Sequence, residues 1–330
     1  MLEKIFSSRV GTRLVLKMGR EPYREFYLYQ LSKELNIGLG RTKTLLEALK
    51  SEGLLTSFRS GKRIMYRLNE NNKLVYDIIY LAHKDDLLKT DKKYRSNIIT
   101  LADIYRKALG DNLISAVLFG SVATKKAKKW SDIDILLIVR KMVGKKAREA
   151  INKKLSSATD IYENISEEHY FTEKEFEEFY AIGDDFLINV MKDGIILHDR
   201  EYFSRYLMRG VPKVTKKSIR KRLDFSKKWL DSSFNLYKHF PQGIPSSLDV
   251  VSIHLSRAVL LLHGILPGSK HNIPDQLARA GETKLSRAYK TTKAWSDSPP
   301  LKVEKEKIWK MLVLLKEKHA ECSRKLEEWA

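Results

Sequence analysis

An apolar run, Ser115–Phe119, ends in Gly120-Ser121, and ten residues separate that pair from Asp132-Ile133-Asp134, which opens a second apolar run, Ile135–Val139. Short apolar runs bounded by turn residues read as buried strands. A strand has period two, so Asp132 and Asp134 lie on one face and Ile133 on the other. Two carboxylates a few ångströms apart repel, and burial disfavours their charged forms. A divalent cation between them relieves both costs. Mg²⁺ is commonly held by one or two carboxylates, with substrate phosphates completing its octahedron. Gly120 lets the backbone approach a ligand closely. Ser121 would offer its hydroxyl and N–H to a phosphate at a helix start. Singly, Asp-X-Asp is a solvated strand end and Gly-Ser a turn. Set together against two buried strands, they point to a site for a nucleoside triphosphate.

The chain has 330 residues, enough for two or three domains. No apolar run approaches the roughly 20 residues a membrane helix needs, so no membrane partner is expected. Met1–Phe6 lacks the apolar core and cleavage site of a signal peptide, and cytoplasmic location is the expectation. Cys322 is the single cysteine, which rules out an internal disulfide and a cysteine-based metal site. The net charge is +21, unevenly spread. Residues 1–95 carry 20 Lys/Arg against 11 Asp/Glu, residues 96–210 carry 18 against 18, and residues 211–330 carry 24 against 12. The excess lies on both flanks, where it attracts polyanions through counterion release.

Residues 1–95 read as three helices and a hairpin: Arg9–Met18, Tyr27–Leu35, Arg41–Ser51, then Leu54–Arg59 and Arg63–Leu68 around Ser60-Gly61-Lys62. This order resembles a winged helix-turn-helix. The resemblance implies a third helix set into the DNA major groove, presenting Arg41, Thr42 and Lys43, with Arg59, Lys62 and Arg63 of the hairpin on phosphates. A docking or dimerisation module is the alternative, and a homodimer is compatible with it. Tyr76–Leu88 reads as a further helix, and the charged stretch Lys84–Arg95 as a linker.

Residues 96–210 hold the Gly-Ser and Asp-Ile-Asp pair, preceded by an amphipathic helix, Ile98–Leu109, and followed by a helix, Lys145–Leu155, and a third strand within Tyr162–Phe171. Gly120-Ser121, the ten-residue gap and Asp132-Ile133-Asp134 match the signature of the DNA polymerase β-like nucleotidyltransferases, in particular their minimal branch. The resemblance implies transfer of a nucleoside monophosphate from an NTP to an acceptor, with two Mg²⁺ ions. It also implies a third carboxylate from a later strand. Glu167 and Glu168 are the candidates, only one of which can face inward, with Asp160 and Glu163 as further options. Lys125 and Lys126, with Lys128 and Lys129, lie between the motif halves, either as a solvated run or on the triphosphate.

Residues 211–330 read as helical, with a seam of Ile308, Leu312, Leu315, His319, Cys322, Leu326 and Trp329 along the last helix. The run Arg257–Ile265 resembles the central helices of HEPN domains, a family with an Arg-and-His ribonuclease pattern that Arg257 and His263 fit in spacing. Six steps at about 100° each set those two on different helix faces, whereas Arg257 and His254 share one. The expectation is an α+β multidomain chain: a winged helix (1–95), a mixed α/β nucleotidyltransferase sheet (96–210) and an all-α, HEPN-like bundle (211–330). The acceptor is left open between protein, RNA and a small molecule. Two other functions fit the same residues: a nucleotide-sensing transcription regulator, and a fused toxin–antitoxin-like module.

Overall fold

The computed structural model describes residues 8–128, 131–158, 166–297 and 303–329; the side chains of Ser156, Ala158, Ser166, Glu167 and Gln242 lie outside that description. The chain is a mixed α+β protein that divides into two compact units. The first comprises residues 1–178 and 190–211, the second residues 179–189 and 212–330.

The first unit begins with α1 (Arg9–Arg20), a two-residue strand β1 (Phe26–Tyr27), α2 (Leu28–Leu35) and α3 (Leu39–Ser51). The hairpin β2 (Leu55–Ser60) and β3 (Arg63–Leu68) follows, turning on Gly61 and Lys62, and the small antiparallel sheet runs β1-β3-β2. Leu14, Leu31, Leu46 and Leu49 hold its core. The charged stretch 84–95 is no linker. The helix α4 (Leu74–Leu88) and the helix α5 (Lys92–Leu109) leave only residues 89–91 between them. Tyr94 and Leu87 are buried there, and apolar contact at those positions outweighs the polar composition around them.

The four-stranded sheet has the order β6-β5-β4-β7. Its strands are β4 (Leu113–Phe119), β5 (Ile133–Val139), β6 (Ser166–Thr172) and β7 (Ile195–Asp199). β4 pairs antiparallel with β5 and β7, while β5 pairs parallel with β6. One face packs on α5 and on α7 (Lys145–Ala158), where Ile133, Ile135, Leu137 and Val139 meet Ile98, Leu101 and Tyr105. The one-turn helix α6 (Gly120–Ala123) leaves the end of β4.

β7 is an edge strand, and α4 covers it. The Leu197 carbonyl accepts from Tyr80 Oη at 3.0 Å and Lys84 Nζ at 3.2 Å, and the Ile196 N–H donates to His83 Nδ1 at 3.2 Å. Side chains thereby satisfy backbone groups that an open edge would expose. His83 is fully buried, and burial followed by the Arg20 charge holds its pKa well below the usual imidazole range. It is therefore neutral, with Nδ1 as acceptor and its proton on Nε2.

The second unit is helical. Its elements are α11 (Lys216–Tyr237), α12 (Ile244–Leu262), α13 (Ile273–Arg279), α14 (Thr283–Asp297) and α15 (Lys305–Glu328); the helices numbered between α7 and α11 are α8 (Glu173–Ile182), α9 (Asp185–Asp193) and α10 (Tyr202–Arg209). α12 is long and apolar enough to cross a membrane, but most of its apolar window is packed inside the unit. It is the core helix, flanked by Leu223 and Leu230 of α11 and by Leu312 and Leu315 of α15. Ile308, Leu312, Leu315, Cys322 and Leu326 are buried along α15.

Two fully buried carboxylates fasten this bundle. Asp185 accepts from Arg222 Nε at 2.7 Å and Arg257 Nη1 at 2.6 Å, and Asp184 from Lys221 Nζ at 3.1 Å. Burial alone would raise the Asp185 pKa, but the two guanidiniums outweigh it and leave the group below its ordinary value.

Candidate active site

Gly120 occupies the turn between β4 and α6 with φ +76°. Only glycine reaches that region without steric cost. A second constraint acts on the same atom. A Cβ placed on Gly120 would lie 1.9 Å from Asp134 Oδ2 and 2.8 Å from its Cγ. The aspartate carboxylate therefore rests directly over the glycine, in space that any side chain would fill. The register explains the approach: Phe119 pairs with Asp134 across β4 and β5, so the turn leaves β4 beside the acid.

Asp134 is half-buried on the sheet face opposite α5, and Asp132 is exposed, one residue before β5 begins at Ile133. Ser121 is half-buried as the second residue of α6. Thr124 Oγ1 closes that turn by donating to the Gly120 carbonyl at 2.9 Å. Lys125, in the left-handed region with φ +58°, and Lys126 are exposed in the loop that follows. Lys129 and the candidate acids Asp160 and Glu163 lie outside the described residues.

The two glutamates on β6 part company. Glu167 stands level with Asp134 in the parallel β5–β6 register, and Glu168 stands level with Ile135. Ile135 belongs to the helix-packed face, and there Glu168 accepts a hydrogen bond from Tyr105 Oη of α5. On the same face, burial and then the Glu168 charge push the Tyr170 hydroxyl up to about 12. Glu168 is thus withdrawn from the Asp134 side, because strand alternation and the Tyr105 bond commit it to the other one.

Sequence reasoning missed His169. Its ring lies 5.4 Å from that of Phe119, centroid to centroid. Its register partner is Leu136, which places it on the Asp134 face. Period-two alternation from Glu167 was the signal that would have found it. The donor set offered by Asp132 and Asp134 is all-oxygen, the chemistry a hard cation such as Mg²⁺ takes. Among the described residues no group of three His, Cys, Asp or Glu side chains forms a complete metal cage.

In the N-terminal segment Arg41 and Lys43 are exposed on the first turns of α3, as are Arg59, Lys62 and Arg63 on the hairpin. Arg41 Nη2 donates to Ser8 Oγ at 2.9 Å, and Arg63 stacks over the Tyr27 ring at 4.7 Å. Thr42 does not join them. It is fully buried, and its hydroxyl turns back to the Gly38 carbonyl at 3.0 Å, as helical threonines do. In the bundle, Arg257 is engaged by Asp185, while His263 lies beyond the end of α12 with Nε2 3.3 Å from Glu282. His254, the other residue on the Arg257 face, sits against Arg222 and the Phe225 ring.

Residues 98–197 match the nucleotidyltransferase domain family. The match spans α5 from Ile98 onward, the four-stranded sheet up to Leu197 and the Gly120–Asp134 contact. No curated protein matches the chain. Among solved structures, a spectinomycin adenyltransferase from Enterococcus faecalis, crystallised with ATP and spectinomycin, is similar over 68% of this chain and 98% of its own, with 13% identity and a TM-score of 0.44.

Proposed function

We propose that this chain transfers a nucleoside monophosphate from an NTP to an acceptor hydroxyl, with release of pyrophosphate. The observation that carries the reading is the Asp134 carboxylate seated over Gly120, within a segment that matches the nucleotidyltransferase domain family. A side-chain-free turn beside a carboxylate admits the phosphates of a nucleotide close to the backbone. The N–H groups that open α6 have no partner within the helix and suit phosphate oxygens, and the Ser121 hydroxyl adds a donor.

Asp132 and Asp134 would hold Mg²⁺. When bound, the metal supplies charge neutralisation on the triphosphate and polarises the phosphorus under attack. Glu167, level with Asp134, is the third acid of this reading and takes the proton of the attacking hydroxyl. Asp132 and Asp134 orient the donor so that the acceptor oxygen approaches in line with the leaving pyrophosphate. Lys125 and Lys126 balance the phosphate charge from the loop. The test is Asp134→Asn, assayed by pyrophosphate release from labelled NTPs with Mg²⁺ across acceptor classes. Loss of about 10²-fold or more, with an unchanged unfolding curve, is expected. An unchanged rate overturns the mechanism.

The N-terminal segment, in this reading, is a winged helix that binds duplex DNA through Arg41 and Lys43 of α3 and Arg59, Lys62 and Arg63 of the hairpin. A second reading has its own observation in favour. α4 grips the β7 edge through Tyr80, His83 and Lys84, so a change in the nucleotide-bearing sheet has a direct route to the DNA-binding elements. A nucleotide-sensing regulator built this way would show DNA affinity that changes with NTP while releasing no pyrophosphate.

A further inference from the structure

The helix α11 carries seven Lys/Arg against two Asp in 22 residues. Lys217, Lys221, Asp224 and Lys228 recur at steps of four, three and four, so they share one face. With Arg220 and Phe225 they line a shallow depression of about 460 Å³. Beside it the residues Phe225 and Trp229 are 42% and 37% exposed, with ring centroids 6.4 Å apart. Phe225 is braced from beneath by His254, at 4.3 Å between centroids.

Not all of this charge is available to a ligand. Arg220 pairs with Glu327 at 2.7 Å and Lys221 with Asp184 at 3.1 Å. Among the described residues Lys217 and Lys228 make no ion pair, and they lie eleven residues apart, about 16 Å along the helix. An anion that satisfies both is therefore elongated. The aromatic pair on the flank adds a demand that charge alone does not make: flat, polarisable groups to stack on it. Insertion into a bilayer needs an apolar helix face, and that of α11 (Ile219, Leu223, Leu230) is buried in the bundle core.

We propose that the exposed face of α11 binds single-stranded nucleic acid, with Lys217 and Lys228 on backbone phosphates and Phe225 and Trp229 stacking on bases. Positive grooves combined with aromatic platforms are the recurring means of holding unpaired strands. The inference does not depend on the transferase reading, since binding at α11 requires neither NTP nor metal.

The experiment uses the full chain without NTP or Mg²⁺ and follows the fluorescence anisotropy of labelled 12-nucleotide oligo(U) RNA and oligo(dT) DNA. Lys217→Gln/Lys228→Gln should weaken binding about tenfold and reduce the salt slope by about 1.4, two single-strand phosphate contacts. Trp229→Ala should weaken binding fivefold or more. It should leave a 12-base-pair duplex bound as before. Asp134→Asn should bind both single strands as the parent does, which separates this proposal from the fate of the catalytic one. Preference for RNA over DNA would assign contacts to the 2′-hydroxyl, and equal affinity would assign backbone and stacking alone; both uphold the site. Unchanged affinity in both α11 variants overturns the proposal. So does Trp229-dependent binding to phosphatidylserine vesicles with no binding to either oligomer.

Discussion

Replacing Gly120 by alanine separates two costs that the structure superposes at one atom. The first is conformational: at φ +76° an alanine costs about 1–2 kcal/mol, offset in part by about 0.5 kcal/mol from the stiffer unfolded chain. The second is steric. The new methyl would lie 1.9 Å from Asp134 Oδ2 where ordinary contact begins near 3.4 Å, so the carboxylate must move by about 1.5 Å. Misplacing a reacting group by ~1 Å can lower a rate 10²-fold, equivalent to about 2.7 kcal/mol in the barrier. Gly264→Ala is the control. It shares the positive φ (+69°) but has nothing within 4 Å of the added Cβ. Urea unfolding should show each variant destabilised by about 1 kcal/mol, with any further loss confined to Gly120→Ala. Pyrophosphate release should fall about 10²-fold or more for Gly120→Ala and stay at the parent level for Gly264→Ala. If Gly120→Ala keeps more than half of the activity, the position of Asp134 over the glycine has no catalytic meaning.

Further outcomes follow from the same geometry. Glu167→Gln should lower transfer about 10²-fold, whereas Glu168→Gln should keep it and cost about 1 kcal/mol through the weakened Tyr105 bond; the reverse pattern in a steady-state assay would invalidate the strand register. Arg41→Gln with Lys43→Gln should reduce the salt slope of duplex DNA binding by about 1.8, and an unaltered slope would remove α3 from the interface. Burial, then Arg222 and Arg257, hold the His254 pKa at about 4 against an ordinary 6.5. The unfolded chain therefore takes up a proton at this site between those values that the folded one refuses, so the contribution of His254 to stability falls as pH drops from about 6.5 to about 4, by about 3 kcal/mol. Burial also holds His83 and His198 low, so both add to the same fall; His254→Gln should make it shallower in unfolding titrations, and a profile as steep as the parent's would show that His254 has no part in it. Asp185, held below its ordinary carboxylate value, loses its contribution only at lower pH and leaves this window clear.

The motif strands were legible because they are buried on both faces: Ile135–Val139 is uninterrupted apolar sequence and lies at 0% exposure throughout. The helices of the bundle were legible through their apolar spacing, with ends displaced by a few residues. Residues 84–95 misled because their charged side chains mask the end of α4 and the start of α5, whose buried contacts come from Leu87 and Tyr94. Thr42 misled because its surface-like spacing on α3 gave no sign of the bond to Gly38. The choice between Glu167 and Glu168 was beyond a single sequence. A shift of one residue exchanges their faces, and only the partner strand fixes the register. The buried pair Asp184-Asp185 went unread for a similar reason: its cations, Arg222 and Arg257, stand 37 and 72 residues away.

The grip of α4 on β7 bears on how such a chain tolerates rearrangement. Excising everything before α5 would strip three side chains from two backbone groups at the rim of the sheet. The remaining strand would offer a raw template for pairing with another copy. The amino-terminal region thus acts as a built-in guard for its neighbour, and a shuffled gene that discarded it would need a substitute cover before the remainder could stay monodisperse.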